Sequence, residues 1–386
     1  MRLAERMNRL GTETAFDCLC RAKALECKMD VVHLEIGEPD FETPKHIREA
    51  AKKALDEGYT HYGPSAGLPE LRQAVAVYSG RLRGVHFNPE QVVITPGGKP
   101  VMAFAIMALV EEGDEVIYPN PGFPIYESMI EYMGGTAVPT RLREERDFRL
   151  DAEELTSLVN ARTKLIIINS PQNPTGGVLT REDLRLIAET ALKHNVWILA
   201  DEIYSEILYD EKFESISQFP EIHQRLIILD GFSKTYAMTG WRVGYGIMPP
   251  QMADKLARIQ TNTNSCTSTF SQRACLDALT GPRTEIDGML AKFKKRRDFI
   301  VKGLSEIPGF RCKLPLGAFY AFPNVEGTGI DSEVLAHRLL EEKGVACLAG
   351  NCFGKYGNGF LRFSYANSIE NIAKALERIK ELVSKK

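Results

Sequence analysis

Neither sign of charge predominates in this sequence: 48 Lys and Arg stand against 51 Asp and Glu, a formal net charge of -3. That balance excludes the basic field on which nucleic-acid or anionic-membrane binding depends. Long apolar runs are missing too. The longest, Val101 to Val110, follows a Gly-rich turn and covers only half of the roughly 20 residues that a membrane helix needs. The first residues, MRLAERMNRL, alternate charged and apolar side chains and hold no uninterrupted secretory core. No internal repeat, low-complexity tract or Pro/Ser/Gly-rich linker divides the chain. With 31 Gly and 20 Pro among 386 residues, neither collagen nor a disordered chain fits. A soluble, cytoplasmic protein of two domains is the expectation for this length.

The eight cysteines form no paired C-x-x-C set. Cys18, Cys20 and Cys27 cluster without a nearby His, and Cys266, Cys275, Cys312, Cys347 and Cys352 are scattered. Reduced thiols and no metal site are therefore expected.

Short apolar runs alternate with amphipathic stretches through the middle of the chain. QVVIT (91–95), DEVIY (114–118), KLIII (164–168), VWILA (196–200) and RLIIL (225–229) are β-branched and apolar throughout, as strands covered on both faces should be. Helical patterns lie between them, among them LPELRQAVAVYSGRLRG and TREDLRLIAETALKHN, the second opening on a Thr180 cap. Strand and helix at this spacing predict an α/β fold with a mostly parallel sheet and right-handed crossovers. The C-terminal part reads differently. IDGMLAKFKKRRDFIVKGLSEI predicts a long charged helix, GAFYAFPNV and GFLRFSYA alternating strands, and an amphipathic helix closes the chain. A smaller α+β domain is expected from residues 290–386, joined by residues 1–46, whose VVHLEIGEPDF strand has no partner nearby; residues 47–289 form the large domain.

In sheets of this kind, functional groups collect just beyond the C-terminal strand ends. QVVIT is followed by Pro96-Gly97-Gly98-Lys99, where glycines entering a helix can free backbone N–H groups for a phosphate. KLIII is followed by a turn in which Asn173 either serves the turn or presents its amide to an oxygen ligand. Asp201, with Tyr204 three residues on, follows VWILA; the acid is either a helix cap or a buried carboxylate awaiting a cation. After RLIILDGF come Ser233, Lys234 and, eight residues beyond the lysine, Arg242. A buried lysine becomes a nucleophile toward carbonyls, and an arginine supplies a fork for phosphate. Together these groups are what holding pyridoxal 5'-phosphate requires.

The chain resembles the class I/II aminotransferases of fold type I, nearly end to end. The resemblance rests on EIGEPDFETP (35–44), YTHYGPSAGLPELR (59–72), TPGGK (95–99), PQNPTG (171–176), DEIY (201–204), SKTYAMTGWRVG (233–244) and LRFSYA (361–366). It implies that Lys234 carries the cofactor covalently and moves the substrate proton, and that Asp201 keeps the pyridine nitrogen protonated. It further implies that Asn173 and Tyr204 bond the ring oxygen, while Ser233, Arg242 and the backbone around Gly98 and Lys99 hold the phosphate. Phe123 corresponds to the aromatic residue stacked on the ring. Tyr62 corresponds to the tyrosine that reaches the phosphate in the partner subunit, so a homodimer is implied. Arg362 matches the arginine that grips the α-carboxylate, helped by the backbone near Gly37. Lys99 resembles a lysine that meets the distal carboxylate in some aspartate aminotransferases, although it could equally be a solvated helix-start lysine. Phe123 lacks the N–H donor of the usual Trp. Aspartate with 2-oxoglutarate leads; aromatic, alanine or broad-range transamination and a fold type I lyase, synthase or hydroxylase are the alternatives. A sensor fused to a helix-turn-helix would need a basic N-terminal extension, and the catalytic pattern begins here by Glu35.

Overall fold

The β-branched runs become the spine of a mixed sheet. The computed structural model describes residues 3–384. After the short strand β1 (Val32–His33), seven strands follow: β2 (Val92–Thr95), β3 (Glu115–Asn120), β4 (Thr136–Arg141), β5 (Thr163–Asn169), β6 (Trp197–Asp201), β7 (Leu226–Gly231) and β8 (Gly244–Ile247). These seven form the central sheet in the order β2-β8-β7-β6-β5-β3-β4. Strands β3 to β7 run parallel, whereas β8 is antiparallel to both β7 and β2. Two of the seven escaped the sequence reading. β4, TAVPTR, carries Pro139 and is half exposed at the sheet edge, where proline is tolerated. β8, GYGI, has two glycines and too few apolar side chains to stand out.

Alternation within the buried strands sends Ile166, Ile168, Ile198 and Ile228 to one face and Leu165, Ile167, Leu199 and Ile227 to the other. The helices Lys45–Asp56, Pro69–Arg83, Arg181–His194 and Thr269–Thr280 cover the first face. Lys99–Leu109, Ile125–Tyr132 and Pro250–Asn264 cover the second. Each such isoleucine or leucine contributes about 1.5–3 kcal/mol when fully buried, which is why these strands read as continuous apolar runs. The run from Val101 lies in the helix Lys99–Leu109, inside this core. Thr180 caps its helix by accepting the Asp183 N–H, with the Asp183 side chain returning the bond.

The remaining strands are short: β9 (Tyr320–Ala321), β10 (Val345–Ala346), β11 (Leu348–Ala349) and β12 (Leu361–Ser364). β1 pairs with β10 in parallel, and an antiparallel sheet runs β11-β12-β9. The expected GAFYAFPNV strand shrinks to two residues, since Pro323 has no N–H to extend the ladder. The helices Thr284–Ser305, Ser332–Lys343 and Ile369–Ser384 pack on these strands. The first of them passes residue 290 without interruption. Among the described residues no helix is long and apolar enough to cross a membrane.

Candidate active site

The parallel register aligns the ends of neighbouring strands, with Asn169 of β5 opposite Asp201 of β6 and Asp201 opposite Leu229 of β7. Asp201 is 7% exposed. Its Oδ2 accepts from the Tyr126 hydroxyl at 2.5 Å and its Oδ1 from the Ile203 N–H at 3.2 Å. Neither donor carries charge, and burial pushes the carboxyl up to about 6, against the pull of both bonds. A buried acid in this state suits a cationic partner such as a protonated ring nitrogen.

This burial has a measurable consequence. Native Asp201 keeps its proton up to about pH 6, whereas in the unfolded chain it is released near 3.8. The folded state therefore binds more protons across that window, and stability falls as pH rises through it. Asp201→Asn should stabilise the protein freed of cofactor by on the order of 2 kcal/mol at pH 7. That gain should shrink as pH falls toward 4, read as urea midpoints across pH; a gain independent of pH would contradict the account.

Lys234 follows β7 in the loop that ends at the turn Thr239–Trp241. Its amine donates to the Gly37 carbonyl at 2.5 Å and lies 6.0 Å from the Tyr204 ring centre. Burial pulls the amine down to about 8, so a sizeable neutral fraction exists near neutral pH. The chain at Gly37 can pass this close only without a side chain, because a Cβ there would fall 2.2 Å from the Tyr320 hydroxyl. That hydroxyl lies 2.7 Å from the Tyr204 hydroxyl. If Tyr320 donates to Tyr204, the Tyr204 proton is free for a ligand oxygen.

An anion cradle lies at the end of β2. Gly97 adopts φ +91°, which strains any other residue, and a Cβ on it would displace the Arg242 guanidinium, whose Nη2 would lie 2.1 Å away. Arg242 itself is held at φ 55° while Nη1 donates to the Thr239 carbonyl at 2.7 Å. Such a left-handed arginine costs energy that neighbouring structure must offset. Gly98 stands at the N-terminus of the helix Lys99–Leu109; Pro100 has no N–H and the Val101 N–H donates to the Gly98 carbonyl at 3.0 Å, which leaves the Gly98 and Lys99 N–H groups for a ligand. With Ser233 and Arg242 lining the same cavity, these groups offer an anion such as a phosphate donors and positive charge.

Arg362, on β12, forms the opposite wall and is 3% exposed. Nη1 donates to Asn173 Oδ1 at 3.1 Å, and Nη2 donates to the Glu35 carbonyl. The guanidinium carbon lies 4.6 Å from the centre of the Tyr320 ring and 4.8 Å from that of Phe353. Its buried Nε has no hydrogen-bond partner among the described residues, an unused donor of the kind a carboxylate satisfies.

A single cavity of about 480 Å³ is lined by Gly37, Gly98, Lys99, Phe123, Asn173, Asp201, Tyr204, Ser233, Lys234, Arg242 and Arg362. These residues come from segments as distant as Gly37 and Arg362. Tyr62 is outside this lining and 89% exposed. Three of these side chains also have partners within the protein. The Asn173 amide oxygen is engaged by Arg362, and the Tyr204 hydroxyl by Tyr320. Lys99, whose side chain is 47% exposed, donates to Glu13 Oε2 at 2.6 Å, so its head is both solvated and paired. Tyr126, Tyr320, Glu13 and Phe16 also line the cavity and were missed. Only Tyr126 left a trace, lying three residues after Phe123. The donor set, the buried acid and the anion cradle fit a phosphorylated pyridine aldehyde.

The chain matches the family described as Aminotransferase class I and II over residues 29–379. It is 39% identical over 383 residues to an aspartate aminotransferase of Pyrococcus horikoshii, covering 98% of this chain and 96% of that one. It is 38% identical to an aromatic-amino-acid aminotransferase of Thermococcus litoralis, covering 92% of each. Among solved structures, the aspartate aminotransferase of Thermus thermophilus with maleate superposes with a TM-score of 0.95 at 35% identity, covering 99% of this chain and 100% of that one.

Proposed function

The chain belongs to the class I and II aminotransferases, and from that premise we propose that it uses pyridoxal 5'-phosphate to exchange an amino group between L-aspartate and 2-oxoglutarate. The observation that carries this reading is the convergence of a partly buried amine, Lys234, a buried acid, Asp201, and a buried guanidinium, Arg362, on one cavity. When bound, the cofactor supplies an electron sink for the pair released as the substrate Cα–H bond breaks.

The protein's part is to bind, orient and move a proton. Ser233, Arg242 and the backbone N–H groups of Gly98 and Lys99 would hold the phosphate. Asp201, kept in place by Tyr126, would hold the proton on the ring nitrogen. Tyr204 would donate to the ring oxygen together with Asn173, and Phe123 would cover one face of the ring. Arg362 would take the α-carboxylate in a fork and so fix which bond at Cα is aligned for cleavage. Lys234 would hold the cofactor through its Nζ, and the same amine, when free, would accept and donate the substrate α-proton. An amine whose pKa lies near 8 matches that double duty at neutral pH.

Acidic substrates are favoured by Lys99, a second cation in the same cavity as Arg362. The names of the relatives include both aspartate and aromatic activities, and the apolar walls at Phe16 and Phe123 keep the aromatic reading open as the second choice. We further assign cofactor binding to residues 47–289 and the α-carboxylate grip to the remainder, in a cytoplasmic homodimer with Tyr62 reaching the phosphate of a second copy.

The decisive test supplies the holoenzyme with a panel of L-amino acids and no 2-oxo acid. Aspartate should release one equivalent of its 2-oxo acid per subunit and then stop, as measured by mass spectrometry. Continued release, or carbon–carbon bond cleavage, would assign the site to another reaction; one equivalent from aromatic amino acids alone would replace aspartate as the donor.

A further inference from the structure

Lys99 opens the helix Lys99–Leu109, a position where the helix dipole disfavours a cation. Three groups compensate it. Its Nζ donates to Glu13 Oε2 at 2.6 Å and lies 5.7 Å from the Phe16 ring centre and 5.4 Å from that of Phe123. Glu13 precedes the helix Thr14–Leu25, and its side chain is only 22% exposed. The segment leading to it is tied down: the Gly11 N–H donates to Ser128 Oγ at 2.9 Å and Arg9 Nε to the Glu131 carbonyl at 2.8 Å. The Glu13 carboxylate is thus fixed inside the cavity shared by Arg362, Asp201 and Lys234, and it already occupies the cation available to a substrate side chain.

We propose that Glu13 is an internal competitor for the side-chain carboxylate of dicarboxylic substrates, occupying Lys99 when the substrate side chain is neutral and yielding it when that side chain is acidic. This rests on the amino-acid substrate reading above. An ammonium has three donors and can touch two carboxylates, but two anions around one cation leave a net charge of one in a partly water-excluded space. Exchange of one carboxylate for the other avoids that repulsion. With a neutral side chain bound, Lys99 would be desolvated without a counterion; Glu13 removes that cost. The phenyl walls of Phe16 and Phe123 then face an apolar side chain. Glu13 therefore weakens acidic ligands and permits neutral ones, so the residue sets the breadth of the substrate range.

The test uses two inert four-carbon ligands, succinate and butyrate, which differ in the distal carboxylate. Their affinities are measured by calorimetry on holoenzyme of the wild type, Glu13→Gln, Lys99→Ser and the double variant. Glu13→Gln should improve succinate binding relative to butyrate by about tenfold, and that gain should vanish in the Lys99→Ser background. Equal shifts for both ligands, or a gain that persists without Lys99, would overturn the proposal. A preference for succinate that Lys99→Ser lowers but Glu13→Gln leaves unmoved removes Glu13 while sparing the acidic-substrate reading. If neither variant moves the preference, both fall together.

Discussion

Lys234→Ala should lower kcat by at least about 10⁴-fold, because on the proposed function one substitution removes both the covalent anchor and the proton-transfer base. No neighbour can take over. The Tyr204 hydroxyl is held by Tyr320, and burial keeps its proton far above the ordinary phenol range. Asp201 is bonded to Tyr126 and Ile203, and the Asn173 amide oxygen is engaged by Arg362. The phosphate cradle at Gly98, Ser233 and Arg242 does not involve the amine, so the variant should still bind cofactor, without the covalent bond. Stability moves the other way. Native Lys234 loses its proton near pH 8, whereas the unfolded chain keeps it to about 10.5. Between those values the unfolded state binds more protons, so the wild type gains stability as pH rises through that window. Below it, the charged amine is a native-state cost that alanine lacks. The cofactor-free variant should therefore unfold at higher denaturant than the wild type at pH 7, and the difference should narrow above pH 8. Turnover within tenfold of the wild type would remove Lys234 from the mechanism.

Local chemistry made much of this site readable. Each parallel strand buried on both faces announced itself as an apolar run, and the polar residue after it marked the strand end, as with Asn169 after KLIII and Asp201 after VWILA. Glycines at Gly97 and Gly98 and the lysine at Lys234 carried their own chemical signal. What escaped were partners brought in by the fold. Tyr126 reaches Asp201 across 75 residues of chain and Tyr320 reaches Tyr204 across 116. Glu13 belongs to a segment whose own pattern is an ordinary amphipathic helix. A tyrosine or glutamate of this kind is recognisable only through its partner, and the partner is fixed by tertiary packing. Strand β8 was hidden for a related reason. Its glycines weaken strand propensity, and they are required because a Cβ on Gly244 would lie 2.5 Å from the Gly97 carbonyl carbon.

Beneath the site lies a charge cluster that does no chemistry and holds the floor together, and Arg83→Met should expose its worth. Arg83 is fully buried, with Nε donating to Glu202 at 2.7 Å and Nη2 to Asp230 at 2.7 Å. Ser215 Oγ donates to the second Glu202 oxygen at 2.8 Å, and Ser205 Oγ and the Gly231 N–H donate to Asp230 at 3.1 and 2.7 Å. Methionine fills a similar volume but leaves two buried carboxylates without a cation, a loss of about 3–5 kcal/mol for a broken buried pair. Glu202, whose carboxyl burial already pushes up against the pull of Arg83, would then hold its proton still more tightly in the folded state than in the unfolded one. The deficit should accordingly be largest at neutral pH and shrink as pH falls, which urea unfolding at pH 5 and 7.5 would read directly. Adding Glu202→Gln and Asp230→Asn should recover most of the loss, since the uncompensated charge is its cause. Both acids also flank Asp201 in the sequence or at the adjoining strand end, and each raises the Asp201 pKa. A stability loss under about 1 kcal/mol, or one unchanged by pH, would mean that hydration or packing rather than Arg83 compensates these acids.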